Sequence, residues 1–343
     1  MDDWLARDLD ELAALLPPGP SGEDLRTALA AASQGGKRFR PGLVADVHRA
    51  LGGDDRAAVA AVGAGVELLH TAFVVHDDVI DGDDVRRGAP SVPGRFRRAA
   101  LAEDADPRSA ATRAVAGAVL TGDLALVLAM RAFATAPVGP DVRARLLDLA
   151  TEAIAVSAAG ELADVRLAAR LARPSTDDVL SVAERKTAWY SFALPMQLGA
   201  LLAGADEATV AELGEGGLLL GIAFQLYDDL AGTFGRAEAT GKSSLADLRE
   251  GKATLLIAHA RTTASWPLVA PVWGDEHLTD SRAAAAREVL QRCGSRAYVE
   301  QVAAEHLAAG LDRVVAAGLR PEMFAWMAGL QDRCAVPTEA AAG

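Results

Sequence analysis

The chain has 343 residues, 51% of them hydrophobic, enough for a substantial core and too apolar for a disordered protein. Lys+Arg 34 against Asp+Glu 47 leaves a formal net charge of −13, which excludes a general binder of nucleic-acid backbone. The two cysteines, Cys293 and Cys334, have no metal-type spacing, which excludes a disulfide framework and a zinc site and fits a reducing cytoplasm.

The N-terminal stretch MDDWLARDLDELAALL is acidic and amphipathic and lacks the basic and apolar regions of a signal peptide, so a cytoplasmic protein is expected. Ser21 with Asp24, and later Ser175 with Asp178, have the spacing of helix N-terminal caps. Between them, GGKRFRPGL presents Lys37, Arg38 and Arg40 after paired glycines. Long Ala/Leu/Val-rich segments of helical period dominate, while β-branched runs of period two are scarce. The pattern predicts an all-α fold of ten or more helices in one domain over 1–335, followed by a disordered tail at 336–343.

The most apolar helical stretch ends in HTAFVVHDDVIDGDDVRRG. On a helical wheel His70, Phe73, Asp77 and Asp81 fall within an arc of roughly 80°. Carboxylates at i and i+4 suit a hard cation such as Mg²⁺, whose remaining positions are filled by water or phosphate. The alternative is a solvated helix end whose acids pair with Arg86 and Arg87. Pro90 to Ser109 mixes proline and charge and is predicted to be a loop.

Further along, GELADV spans 160 to 165, and RKT places Lys186 and Thr187 at the start of an apolar helix. Thr187 to Ala205 carries no charge, but Ser191, Pro195 and Gln197 interrupt it, so a buried core helix is expected and no membrane span. A second acidic site appears in GIAFQLYDDLAGTFG, where Gly221, Gln225, Asp228 and Gly232 share one face. TGKSSLADLREGKATLL follows, with Lys242 and Lys252 and acids at Asp247 and Glu250. Lysine beside a metal-bound phosphate supplies countercharge as a point cation.

In this order, GGKRFRP, HDDVIDGDDVRRG, GELADV, KTA, FQLYDD and TGKSSLADLREGKATLL closely resemble the trans-isoprenyl diphosphate synthases, the polyprenyl synthetase family, and the actinobacterial-type geranylgeranyl diphosphate synthases among them. The resemblance implies an all-α bundle around a deep cavity, a homodimer, and three Mg²⁺ per active site. It implies Asp77, Asp78, Asp81 and Asp228 as metal ligands, and Arg86, Lys186, Thr187, Gln225 and Lys242 around the diphosphate of an allylic substrate. Lys37, Arg40, His70 and Arg87 would grip the diphosphate of isopentenyl diphosphate without metal. The implied reaction is the head-to-tail (1'-4) condensation of isopentenyl diphosphate with dimethylallyl, geranyl or farnesyl diphosphate.

Phe73, one turn before Asp77, would limit the product, with small Ala72 beside it and no two-residue insertion in the first motif. Geranylgeranyl diphosphate (C20) is the expected product and farnesyl diphosphate (C15) the next. One departure stands out, because the usual second motif is DDxxD and here Gly232 takes the place of the last acid. Two rivals follow. A class I terpene cyclase needs an (N/D)Dxx(S/T)xxxE triad, but after Asp177 and Ser181 the last position is Arg185. A non-catalytic partner subunit is the other, motivated by Gly232.

Overall fold

The computed structural model describes residues 1–86, 88–169, 174–235, 246–327 and 329. It is all-α, as the periodicity predicts. The elements are α1 (Asp2–Leu15), α2 (Pro20–Ala32), α3 (Phe39–Ala50), α4 (Arg56–Asp81), α5 (Val92–Ala102), α6 (Pro107–Ala134), α7 (Pro140–Ala168), α8 (Thr176–Val182), a π-helical segment (Ala183–Ala193), α9 (Leu194–Leu202), α10 (Glu207–Phe234), α11 (Ala246–Glu250), α12 (Leu255–Ala260), α13 (Trp266–Val269), α14 (Asp280–Arg292), α15 (Ser295–Ala316) and a 3₁₀ turn (Pro321–Met327). Among the described residues, β-structure is one short antiparallel pair, β1 (Val85–Arg86) with β2 (Ala89–Pro90).

The chain forms two compact units, one of Met1–Thr151 with Pro195–Asp206, the other of Glu152–Leu194 with Glu207–Gly343. The tail expected at 336–343 lies outside the described residues.

In the first unit α4 packs along α6, and α3 and α5 pack against that pair. Small residues on α4, Ala61, Gly63, Ala64 and Gly65, are buried with Val62, Leu68 and Leu69, so the helix is enclosed on most sides. Phe133 of α6 lies over Gly65, where a Cβ would meet its ring at 2.7 Å. Each such fully buried side chain contributes about 1.5–3 kcal/mol by leaving water. Asp55 begins α4 by accepting from the Ala57 and Ala58 amides. Gly82 ends it at φ 73, a conformation that glycine adopts without strain.

Two local expectations are corrected here. Pro90 to Ser109 is not a loop: α5 fills most of it, because Val92, Phe96 and Ala100 make a buried apolar stripe and Ser91 caps the helix through the Gly94 amide. Asp106 then caps α6, with Pro107 in the first turn, where proline costs nothing. Ser21 is not a cap either, since α2 starts at Pro20 behind Gly19. Ser175 and Asp178 do form the reciprocal capping box.

In the second unit α10 packs against α15 and the π-helical segment, around Phe192, Leu213, Leu220, Leu226 and Val314. The uncharged stretch from Thr187 is divided between the π-helical segment and α9, and Ala188, Phe192, Leu194, Met196 and Leu198 are buried, as its interruptions predict. By length and composition, α4 and α6 are the two described helices that match a membrane span. The α4 stretch is mostly buried, as a core helix is.

Candidate active site

In the first unit the acidic motif occupies the last turns of α4. Asp77 is half-buried, Asp78 buried and Asp81 exposed, so the first and fifth positions present carboxylates while the second faces inward. Arg86, carried on β1, fixes that arrangement. Its Nε donates to Asp78 Oδ1 at 2.5 Å and its Nη2 to Asp77 Oδ2 at 3.1 Å. Burial pushes the Asp78 carboxyl above the ordinary range, and the hydrogen bond from Arg86 opposes that rise. Asp78, expected among the metal ligands, therefore sits as a buried anchor for Arg86, and Asp77 and Asp81 are the pair left facing outward.

His70 and Phe73 lie on α4, both half-buried. His76 is held differently: its ring covers Gly122 of α6, where a Cβ would fall 2.3 Å from Nε2, and Nε2 lies 3.4 Å from Asp123. That is a packing role. In the GGKRFRP stretch Lys37 is exposed and Arg40 half-exposed. Arg38, between them, adopts φ 50 and donates to Glu67 Oε1 at 2.6 Å and to the Ser33 carbonyl at 2.9 Å. This pairing with a mid-helix glutamate is absent from the sequence reading, because nothing in the spacing of 38 and 67 announces it. Arg87 lies outside the described residues.

In the second unit the other acidic motif repeats the pattern. Asp228 is exposed and Asp229 buried. Lys252 donates to Asp229 Oδ1 at 2.9 Å, and Gln225 Nε2 to the same oxygen at 3.0 Å. The Asp229 charge holds the Lys252 ammonium above its usual value. Gln225 in turn accepts from Thr187 Oγ1 at 3.0 Å, which links the KTA motif to FQLYDD through one network. Each motif also carries a phenylalanine one turn before its first acid, Phe73 and Phe224.

Lys186 Nζ donates to Glu161 at 3.0 Å and to Asp164 at 2.7 Å, so the GELADV motif serves as its anchor. These residues meet because α7 and α10 approach the π-helical segment at glycines. A Cβ on Gly160 would fall 2.4 Å from the Lys186 backbone nitrogen, and one on Gly221 would fall 2.5 Å from Ala188. A π-helical turn places Lys186 and Thr187 off the register of an ordinary helix, a distortion frequent at functional sites.

Asp247, on α11, has its carboxyl pushed up to about 6 by burial, with Asp229, Glu250 and Asp228 adding to the rise and Lys252 opposing it. Lys242 lies outside the described residues.

The outward donors of both motifs are carboxylate oxygens, which suit a hard cation. Among the described residues no three acidic, histidine or cysteine side chains converge on one point. A cation held by one or two carboxylates keeps positions for water and phosphate, which is the habit of Mg²⁺ and not of a closed zinc site.

Comparison with known proteins places these motifs in a family. Residues 23–267 match the polyprenyl synthetase family. A (2E,6E)-farnesyl diphosphate synthase of Mycobacterium bovis is 35% identical over 292 residues, which is 83% of this chain and 75% of its own. A geranylgeranyl diphosphate synthase of Mycobacterium tuberculosis is 34% identical over 298 residues, 86% of this chain and 79% of its own. Among solved structures, geranylgeranyl pyrophosphate synthase from Corynebacterium glutamicum, complexed with isoprenyl diphosphate and magnesium, gives a TM-score of 0.83 at 28% identity, covering 97% of this chain and 96% of that one. The chain belongs to the polyprenyl synthetase family, the trans-isoprenyl diphosphate synthases, and is a prenyltransferase.

Proposed function

We propose that this prenyltransferase condenses isopentenyl diphosphate with a short allylic diphosphate (dimethylallyl, geranyl or farnesyl) and releases geranylgeranyl diphosphate. The observation that carries the reading is the repeated arrangement of the two motifs. In each, a leading aspartate faces outward (Asp77, Asp228) while the next is buried against a cation, Arg86 or Lys252. Such an arrangement spends the inner carboxylate on positioning and leaves the outer one for a metal-bound diphosphate.

Bound Mg²⁺, three ions in this proposal, supplies Lewis-acid neutralisation of the charge that gathers on a departing diphosphate. By the resemblance, Asp77 and Asp81 in the first unit and Asp228 in the second would be the residues that hold Mg²⁺. Arg86, already aligned by Asp77 and Asp78, and Lys186, aligned by Glu161 and Asp164, would each supply fixed positive charge to an allylic diphosphate, as the resemblance implies. Thr187 and Gln225 orient it, and Lys242 is assigned beside them by resemblance. Lys37, Arg40, His70 and Arg87 hold the second diphosphate. The allylic carbon–oxygen bond breaks with its electron pair leaving on the diphosphate, the isopentenyl double bond attacks the allylic carbon, and a proton is lost to the released diphosphate.

Chain length rests on Phe73, half-buried one turn before Asp77, and on the small, fully buried Ala72 beside it. The relatives bear both names, farnesyl and geranylgeranyl, so the C20 choice is the present reading. A cytoplasmic homodimer completes the proposal, supported by the exposed Val115, Val119, Leu120 and Val127 on α6. Incubation with Mg²⁺, isopentenyl diphosphate and each allylic diphosphate in turn tests it, with products identified by mass spectrometry after phosphatase treatment. Linear C20 alcohol supports the reading, C15 alone corrects the length, and a cyclic hydrocarbon or no product refutes it.

A further inference from the structure

Arg38 stands between Lys37 and Arg40, two residues assigned above to the diphosphate of isopentenyl diphosphate, yet its own side chain is engaged within the protein. Its Nη1 donates to Glu67 Oε1 at 2.6 Å and its Nη2 to the Ser33 carbonyl at 2.9 Å. The guanidinium thus joins the end of α2, the turn before α3 and the middle of α4. A further acid, Asp2, lies at 4.0 Å and is 80% exposed, which makes that pair weak.

The backbone needs such a tie. Gly35, Gly36 and Arg38 all have positive φ, at 78, 79 and 50, and of the three only Arg38 carries a side chain that strains this conformation. Strain of that kind persists where surrounding contacts hold it. On α4, Gly63, Glu67 and His70 fall within an arc of roughly 60°. A Cβ on Gly63 would fall 3.3 Å from Cβ of Pro41, so α3 begins in close contact with this face. The Glu67 side chain is 9% exposed and sits between buried Val66 and Leu68, where a carboxylate persists only if a cation meets it. Arg38 is that cation, and His70 follows Glu67 by one turn.

We propose that Arg38 and Glu67 are positioning residues for isopentenyl diphosphate. Their ion pair clamps the left-handed turn at 35–38 onto α4, so that Lys37 and Arg40 from one side and His70 from the other meet the same diphosphate. The pair also neutralises the Glu67 carboxylate, which would otherwise repel an anion bound one turn away. The inference deepens the isopentenyl diphosphate reading above and rests on it.

The test is steady-state condensation with Mg²⁺, varying isopentenyl diphosphate at saturating geranyl diphosphate and then the reverse, with melting temperatures measured alongside. Arg38→Met, Glu67→Met and Arg38→Met/Glu67→Met are each expected to raise the KM for isopentenyl diphosphate about 10- to 100-fold, since misplacing a group by about 1 Å costs about 100-fold. The kcat and the KM for geranyl diphosphate change little. The double variant is expected to be no worse than the worse single one, because the two residues act as a unit. It leaves no uncompensated buried charge, keeps its melting temperature, and so separates positioning from loss of fold. Arg38→Lys, which retains a cation facing Glu67, recovers part of the loss. An unchanged KM for isopentenyl diphosphate in the double variant overturns the proposal. Glu67→Met with an unchanged or lowered KM overturns it too, since Arg38 would then be a direct ligand, as does an equal rise in both KM values, the mark of general damage. Arg38→Lys no better than Arg38→Met also counts against the ion pair and overturns it. Absence of condensation by the unaltered chain refutes the function proposed above and this inference with it, whereas condensation with an unchanged KM in the double variant refutes only this inference.

Discussion

Asp247→Asn is expected to stabilise the protein at high pH, because the carboxylate it removes is held against burial. The carboxyl is pushed from 3.8 to about 6 in the folded protein, chiefly by burial. Between those two values the native state binds more protons than the unfolded chain, so this group makes stability fall as pH rises from about 4 to 6. Above about 6 the destabilisation is fully present; below about 4 it vanishes. Two units at about 1.4 kcal/mol each set an upper limit near ~3 kcal/mol, and solvent at the half-buried side chain lowers the expected figure to ~1–2 kcal/mol. Asn has nearly the same shape and no charge, so in metal-free buffer the variant is expected to be more stable than the unaltered chain at pH 8 and equally stable near pH 4. Urea denaturation with EDTA at the two pH values, followed by circular dichroism, measures this. A variant less stable at pH 8, or a difference that does not change with pH, would refute the reasoning that Asp247 is a carboxylate held in place at a cost.

Asp81→Asn is expected to lower turnover by at least ~10²-fold, the size of a lost electrostatic catalytic group, with an unchanged melting curve because Asp81 is exposed. Steady-state kinetics at saturating Mg²⁺ decide it. Phe73→Ala should lengthen the product beyond C20, as mass spectrometry of the dephosphorylated prenols would show; an unchanged length removes Phe73 from the account. Lys252→Met removes the cation that faces the buried Asp229 carboxylate and leaves, among the described residues, the Gln225 amide as its side-chain donor, and should destabilise the fold by ~1–2 kcal/mol. That figure lies below the range for a fully buried pair because the Lys252 side chain is 38% exposed. Asp229→Asn combined with Lys252→Met should recover most of the loss in urea denaturation, since no uncompensated charge then remains buried.

Much of the architecture was legible because helical periodicity and capping are local. The long apolar segments became α4, α6, α7 and α10, and the Ser175–Asp178 box formed as its spacing required. The reading failed where proline and charge suggested a loop, since α5 is stabilised by burying Val92, Phe96 and Ala100 against neighbours that no short window contains. Ser21 failed for a related reason. Pro20, pre-shaped for the first helical turn, starts α2 one residue before the serine.

At the motifs, sequence by itself determined which residue types stand at i and i+4, because one turn of helix imposes that relation on any chain. It therefore put Asp77 with Asp81, and Asp228 with Gln225, on single helix faces, and the motifs resembled the family that carries them, but it counted Asp78 among the metal ligands as well. Tertiary structure decided what each second aspartate does. Whether Asp78 and Asp229 serve a metal or a structural cation depends on where Arg86 and Lys252 return, 8 and 23 residues away, and a buried carboxylate persists only where such a cation meets it. The same holds for Gly232: as a letter it reads as a lost acid, and only packing places the Asp247 carboxylate over it, because close approach between helices is set by excluded volume, which no local spacing encodes.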